Sequence, residues 1–150
     1  MSTVISQVRD AVNKLLEICH DGESGFEAAA NAVSNASVKA ELMQYSGQRA
    51  EFAAELEKAV QELGEAPSTG GTIAGALHRG WMKLSKTAGS SDHAILSNCE
   101  RGEDAAVSAY RAALNTALPN QISTLVASQF QAVKRVHDRI KLLRDMSENK

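Results

Sequence analysis

Aromatic side chains are scarce in this chain, at 4% of 150 residues, and so are prolines and cysteines, with two of each. So small an aromatic supply, with Ala and Leu abundant, favours helices packed closely through small side chains. With only Pro67 and Pro119 present, long stretches are free to be helical. No run of about eighteen apolar residues occurs, so the sequence offers no bilayer-spanning helix. The formal net charge of −2 supplies no basic footprint for nucleic acid or for an anionic membrane surface. The opening Met1-Ser2-Thr3-Val4 has neither the basic nor the apolar region of a secretory signal. Cys19 and Cys99 have no metal-type spacing and read as reduced thiols of a cytoplasmic protein. No catalytic triad pattern, phosphate loop or nucleotide fingerprint is found.

What the chain does have is a heptad rhythm. Ile5, Val8, Val12, Leu15, Cys19, Gly22, Phe26, Ala29 and Val33 step by three and four, the period of a packed helix seam. The same rhythm carries Val38, Leu42, Tyr45, Phe52, Leu56, Ala59 and Leu63, and then Leu96, Cys99, Ala106, Tyr110 and Ala113. A last seam runs through Ile122, Leu125, Val133, Val136, Ile140 and Leu143. These patterns predict long helices at roughly 3–34, 37–64, 91–116 and 119–146 of a single domain spanning 1–150. Thr3, Ser37, and Ser91 or Asp92 are the expected N-caps, and Gly64 the expected stop. Asp21-Gly22 is a place where the first helix could kink. A short amphipathic helix at about 72–87, carrying Ile73, Leu77, Trp81 and Leu84, is expected within the connection from the second long helix to the third.

Two seams are interrupted by charge. Arg49 stands in the second and Glu103 in the third, while Gln129 holds a place in the last. A carboxylate on a buried seam must be paired, protonated or bound to a metal, because an isolated buried charge is too costly. A connection that carries the chain back to the end of the first hairpin makes the second and third helices parallel. Arg49 and Glu103 are then each about eleven residues from a helix start and meet at one height. Counting back through the hairpin brings Gly22 and Glu23 to that level. The expected result is a buried polar layer of Glu23, Arg49, Glu103 and Gln129, with Gly22, Gly25, Gly47 and Gly102 making room for it. Cys19 and Cys99, about 9 Å apart in height, should form no disulfide.

The residues that break the pattern also carry a resemblance. Asp21-Gly22-Glu23 with Gly25-Phe26, Gln48-Arg49-Ala50-Glu51-Phe52-Ala53-Ala54-Glu55-Leu56, Ala74-Gly75-Ala76-Leu77-His78-Arg79-Gly80-Trp81, Cys99-Glu100-Arg101-Gly102-Glu103-Asp104 and His137-Asp138-Arg139-Ile140 span nearly the whole chain. As a set they resemble a bacterial ferritin-like four-helix-bundle family described as a domain of unknown function. The resemblance implies an all-α, ferritin-like four-helix bundle with a long crossover between helices two and three; it implies no reaction.

Ferritin-like di-iron sites draw one Glu from each of two helices and Glu-x-x-His from each of the other two. Here Glu17-x-x-His20 matches once, Gln48-x-x-Glu51 lacks the histidine, and Lys134-x-x-His137 puts a cation where a carboxylate belongs. A guanidinium at Arg49 would also repel a divalent ion. No cofactor is therefore expected. A looser site for iron, manganese or zinc, built from Glu23, Glu51, Glu100 or Glu103 with His137 or His20, is the alternative. The function read from the sequence is a non-catalytic bundle acting as a homo-oligomer or through a protein partner, stress-associated by analogy with ferritin-like proteins. The alternative is a metal-binding redox or storage bundle.

Overall fold

The computed structural model describes residues 2–65 and 91–148, so the expected linker, the short helix around Trp81 and Pro67 lie outside the described residues. Four helices and no strand are found among those residues: α1 (Ser2–Ala32), α2 (Ala36–Glu62), α3 (Asp92–Leu114) and α4 (Asn120–Glu148). None is long and apolar enough to cross a membrane.

The caps differ in part from the sequence reading. Thr3 lies inside α1 instead of capping it. At α2 the N-cap is Asn35, whose side-chain oxygen accepts from the Val38 N–H, and not Ser37. An Asx side chain two residues earlier satisfies the same orphan donors, which leaves Ser37 as an ordinary first-turn residue. Ser91 caps α3 through the Ala94 N–H. Gly64, at φ 78°, ends α2 in the left-handed conformation that glycine takes without a Cβ penalty. Asp21-Gly22 produces no break, since α1 continues through it to Ala32.

Hydrogen bonds between helix ends fix the directions. The N–H groups of Ser34 and Asn35, in the turn between α1 and α2, donate to the two carboxylate oxygens of Asp92 at 2.8 and 3.1 Å. The start of α3 is thereby held at the α1–α2 turn, so α2 and α3 run in the same direction. Nδ1 of His93 sits 3.1 Å from the carbonyl of Arg144, which brings the end of α4 to that same place. At the opposite end Arg9 lies 3.6 Å from Glu65. α1 packs on α2 and on α3, α3 packs on α4, and α2 and α4 touch only lightly. Arg139 bridges that last pair by donating to both oxygens of Glu41, which also accepts from the Tyr45 hydroxyl.

The seams are buried largely as the rhythm requires, with exceptions. Ile5, in the first turns of α1, is exposed. Val38, Tyr45 and Phe52 are only partly covered, and α2 turns Ser46, Ala53 and Val60 inward instead. The looser contact with α4 leaves that side of α2 half open. Buried apolar residues fall into two clusters along the helix axes. One holds Leu15, Cys19, Leu56, Ala106, Tyr110 and Val133 with their neighbours. The other holds Phe26, Leu42, Leu96, Cys99, Val136 and Ile140. Between them, on three helices, stand Gly22, Arg49 and Glu103.

Candidate functional site

Arg49 and Glu103, 1% and 0% exposed, occupy the gap between the two apolar clusters. Nη1 and Nη2 of Arg49 donate to the two oxygens of Glu103 at 2.6 and 2.7 Å. Such a fork-to-fork pair uses the planar geometry of both groups and is among the strongest hydrogen-bonded contacts a side chain makes. Burial works against the charged guanidinium, and the Glu103 carboxylate outweighs it, so the Arg49 pKa is raised. The guanidinium carbon also lies 5.2 Å from the centre of the Phe26 ring, a cation–π contact. Its Nε points to Gln48 Oε1 at 3.4 Å.

Room for this side chain comes from α1. A Cβ on Gly22 would lie 3.3 Å from both Cγ and Nη1 of Arg49. Gly47, expected to serve the same purpose, does not: a Cβ there would meet nothing within 4 Å. It lies on the outer side of α2, where Arg49 cannot reach it.

A second network adjoins the first. Gln129, 1% exposed, donates from Nε2 to Glu55 at 2.9 Å and to the Phe52 carbonyl at 3.3 Å. Its Oε1 accepts from the Tyr110 hydroxyl at 2.6 Å. The single hydroxyl proton is thereby committed, so the 3.3 Å contact between Tyr110 and Cys19 has the thiol as donor. Burial pushes the Cys19 thiol up to about 11, only partly offset by the Tyr110 hydrogen bond and by Arg49. Tyr110 rises well above its ordinary range, chiefly through burial and then through Cys19. Cys99 is also raised, by burial and then by Glu103. Both cysteines are buried and free, and protonated thiols of this kind are poor nucleophiles. Glu55, the exposed end of the network, lines a cleft of about 450 Å³ between α2 and α4, with Ala59, Leu63, Ile122 and Leu125.

The sequence-derived residues are therefore partly gathered and partly separated. Arg49 and Glu103 meet. Gln129 is buried but belongs to the Tyr110 network. Glu23 is half-buried, and its main-chain carbonyl accepts from the Ser46 hydroxyl at 2.8 Å. Glu51 is exposed. Glu100 pairs with Arg144. His137 lies on the outside between α3 and α4. Among the described residues, no three His, Cys, Asp or Glu side chains gather into a set that could hold a metal ion.

The sequence singles out Glu17 in Glu17-x-x-His20 and Asp21 in Asp21-Gly22-Glu23, but the burial of these two and of Ser46 was not expected from it. Ser46 stands one turn from Arg49 and Leu42 on the inner face, a signal that a strict heptad count passes over. Glu17 and Asp21 lie off the α1 seam, so the heptad count gives no reason to bury them; both are engaged in interactions. The role of Tyr110 and Cys19 as hydrogen-bonding groups was hidden behind their apolar seam positions.

His137 is a further polar centre. Its Nε2 lies 2.6 Å from Asp104 and its Nδ1 3.2 Å from Asp138. A neutral imidazole has one N–H, so donating to both carboxylates requires the imidazolium. Partial burial opposes the charge, and the hydrogen bonds to Asp138 and Asp104 outweigh it, raising the pKa above its usual 6.5. A raised histidine contributes stability that is complete below pH 6.5 and is lost as pH rises through the folded value. The stability difference between wild type and His137→Gln should therefore be largest in mild acid and shrink above neutrality. Denaturant midpoints across that range check this; a difference independent of pH would contradict the imidazolium.

The family model described as Domain of unknown function (DUF2383) matches residues 7–116. The chain belongs to that family. No curated protein matches the sequence. The matched span of the DUF2383 chain takes in α1, α2 and α3 and hence Arg49, Glu103, Cys19 and Tyr110; Gln129 and His137, on α4, lie beyond it.

Proposed function

We propose that this protein is a ferritin-like four-helix bundle whose metal layer has been replaced by an ion pair, and that it works through its surface and not by catalysis. The observation that carries the reading is the bidentate Arg49–Glu103 pair, which takes both oxygens of a carboxylate with no exposed surface. Parallel α2 and α3, the short α1–α2 turn and the long connection after α2 agree with the connectivity of ferritin-like bundles. The donor set does not fit a di-iron centre. Its central place is held by a cation, Glu51 faces solvent, and His137 is committed to two carboxylates.

A buried polar layer of this kind selects one register of the helices at some cost in stability, a use known from bundles and coiled coils. Function then falls to the outer faces, through self-association or a protein partner, in the cytoplasm and in a stress-associated role. The test is equilibrium dialysis of untagged protein against ferrous iron, manganese and zinc, followed by elemental analysis. The expected result is no stoichiometric metal. One or two equivalents lost on substituting Glu103→Gln would overturn the reading and make Glu103 a ligand.

A further inference from the structure

The outer face of α2 carries a second apolar rhythm that no other helix among the described residues covers. Ala36, Ala40, Met43, Gly47 and Ala54 are all exposed and recur at helical spacing, with half-buried Ala50 completing the line. Met43 is 45% exposed, one of the few large apolar side chains left in water. Gly47 stands at its middle. Glycine inside a helix is destabilising relative to alanine, and here no neighbour among the described residues requires it, since a Cβ would meet nothing within 4 Å. A position without a side chain on an exposed face allows the close approach of a second surface.

Charge on the flank of this face identifies the visitor. Lys39 and Glu57 are separated by about five full turns, so they lie on the same flank, at equal distances from residue 48. Among the described residues Glu57 has no ion-pair partner. Lys39 is exposed and gives one N–H to the Ala30 carbonyl, which leaves two. When two copies of a helix meet antiparallel about a two-fold axis, the same flank of each faces the other and the ends exchange. An axis midway between residues 47 and 48 brings Lys39 of each copy to within about one residue's rise, ~1.5 Å, of Glu57 of the other, Ala40 to within the same distance of Ala54, and Gly47 beside its own copy.

We propose that this α2 face is an isologous, antiparallel interface between two copies of the chain. The inference rests on the reading that the protein acts through its surface, and it names the surface and the partner. Gly47→Cys places a thiol beside the two-fold axis, and the open space there leaves the fold undisturbed; Cys19 and Cys99 are buried and do not compete. The full chain should sediment as a dimer, and Gly47→Cys should oxidise to a disulfide-linked dimer while Ser128→Cys, exposed on α4, does not. Lys39→Glu should weaken the dimer by about tenfold or more through like-charge contact, and Lys39→Glu with Glu57→Lys should restore it. A chain monomeric at all concentrations, or a dimer that crosslinks at Ser128 and not at Gly47, would overturn this interface. The second of these outcomes leaves the surface reading standing, whereas only stoichiometric metal at Glu103 removes that reading itself.

Discussion

Glu103→Ala and Arg49→Ala are each expected to cost about 3–5 kcal/mol, the usual loss when one partner of a buried ion pair is removed. Either truncation leaves the other charge between two apolar clusters, with almost no exposed surface. Loss of the partner matters more than loss of attraction. Replacing both with apolar residues of similar volume, for example Arg49→Met with Glu103→Leu, should recover most of the loss, because a buried pair often only breaks even against good packing. Exposed Lys58→Ala is the control and should cost well under ~1 kcal/mol. Gly22→Ala supplies an internal check. Its Cβ crowds a guanidinium that Glu103 holds in place, so it should destabilise the native chain and be far better tolerated with Met at position 49. Denaturant unfolding of the singles and the double reads all of this. Single substitutions as mild as the control would mean that the pair is not made in solution.

Tyr110→Phe is expected to cost about 1–3 kcal/mol, the penalty for leaving a buried acceptor unsatisfied. The hydroxyl is the donor to Gln129 Oε1, and the Gln129 amide cannot turn over to compensate, because its Nε2 is held by Glu55 and the Phe52 carbonyl. The Cys19 thiol loses its acceptor in the same step. Gln129→Leu should also destabilise, by stranding the Tyr110 hydroxyl. The double substitution should fall short of the sum of the two, since it removes both ends of one bond. Additive losses would show that Tyr110 and Gln129 act separately.

The presence of the four long helices and most of their inner faces were determined by the sequence alone. Leu42, Leu56, Leu96, Val133 and Ile140 stand on seams whose period only a packed helix satisfies, and burying them needs no knowledge of which helix lies opposite. Arg49 and Glu103 were equally legible, because charge on an apolar seam is rare and its cost forces a pairing. Tertiary structure decided what the period cannot carry. How far α2 is rotated against its neighbours depends on which of them pack closely. Loose contact with α4 exposes one edge of the Val38–Tyr45–Phe52 line and brings Ser46 and Val60 inward. Glu23 drops out of the layer and Gln129 joins Tyr110 for a similar reason. Height along a helix can be counted from its ends, but the direction of a side chain around the axis is set by the partner it meets. Gly22 and Gly47 look alike in the sequence; one lies against Arg49 and the other faces open space, and only the packing of α1 on α2 tells them apart.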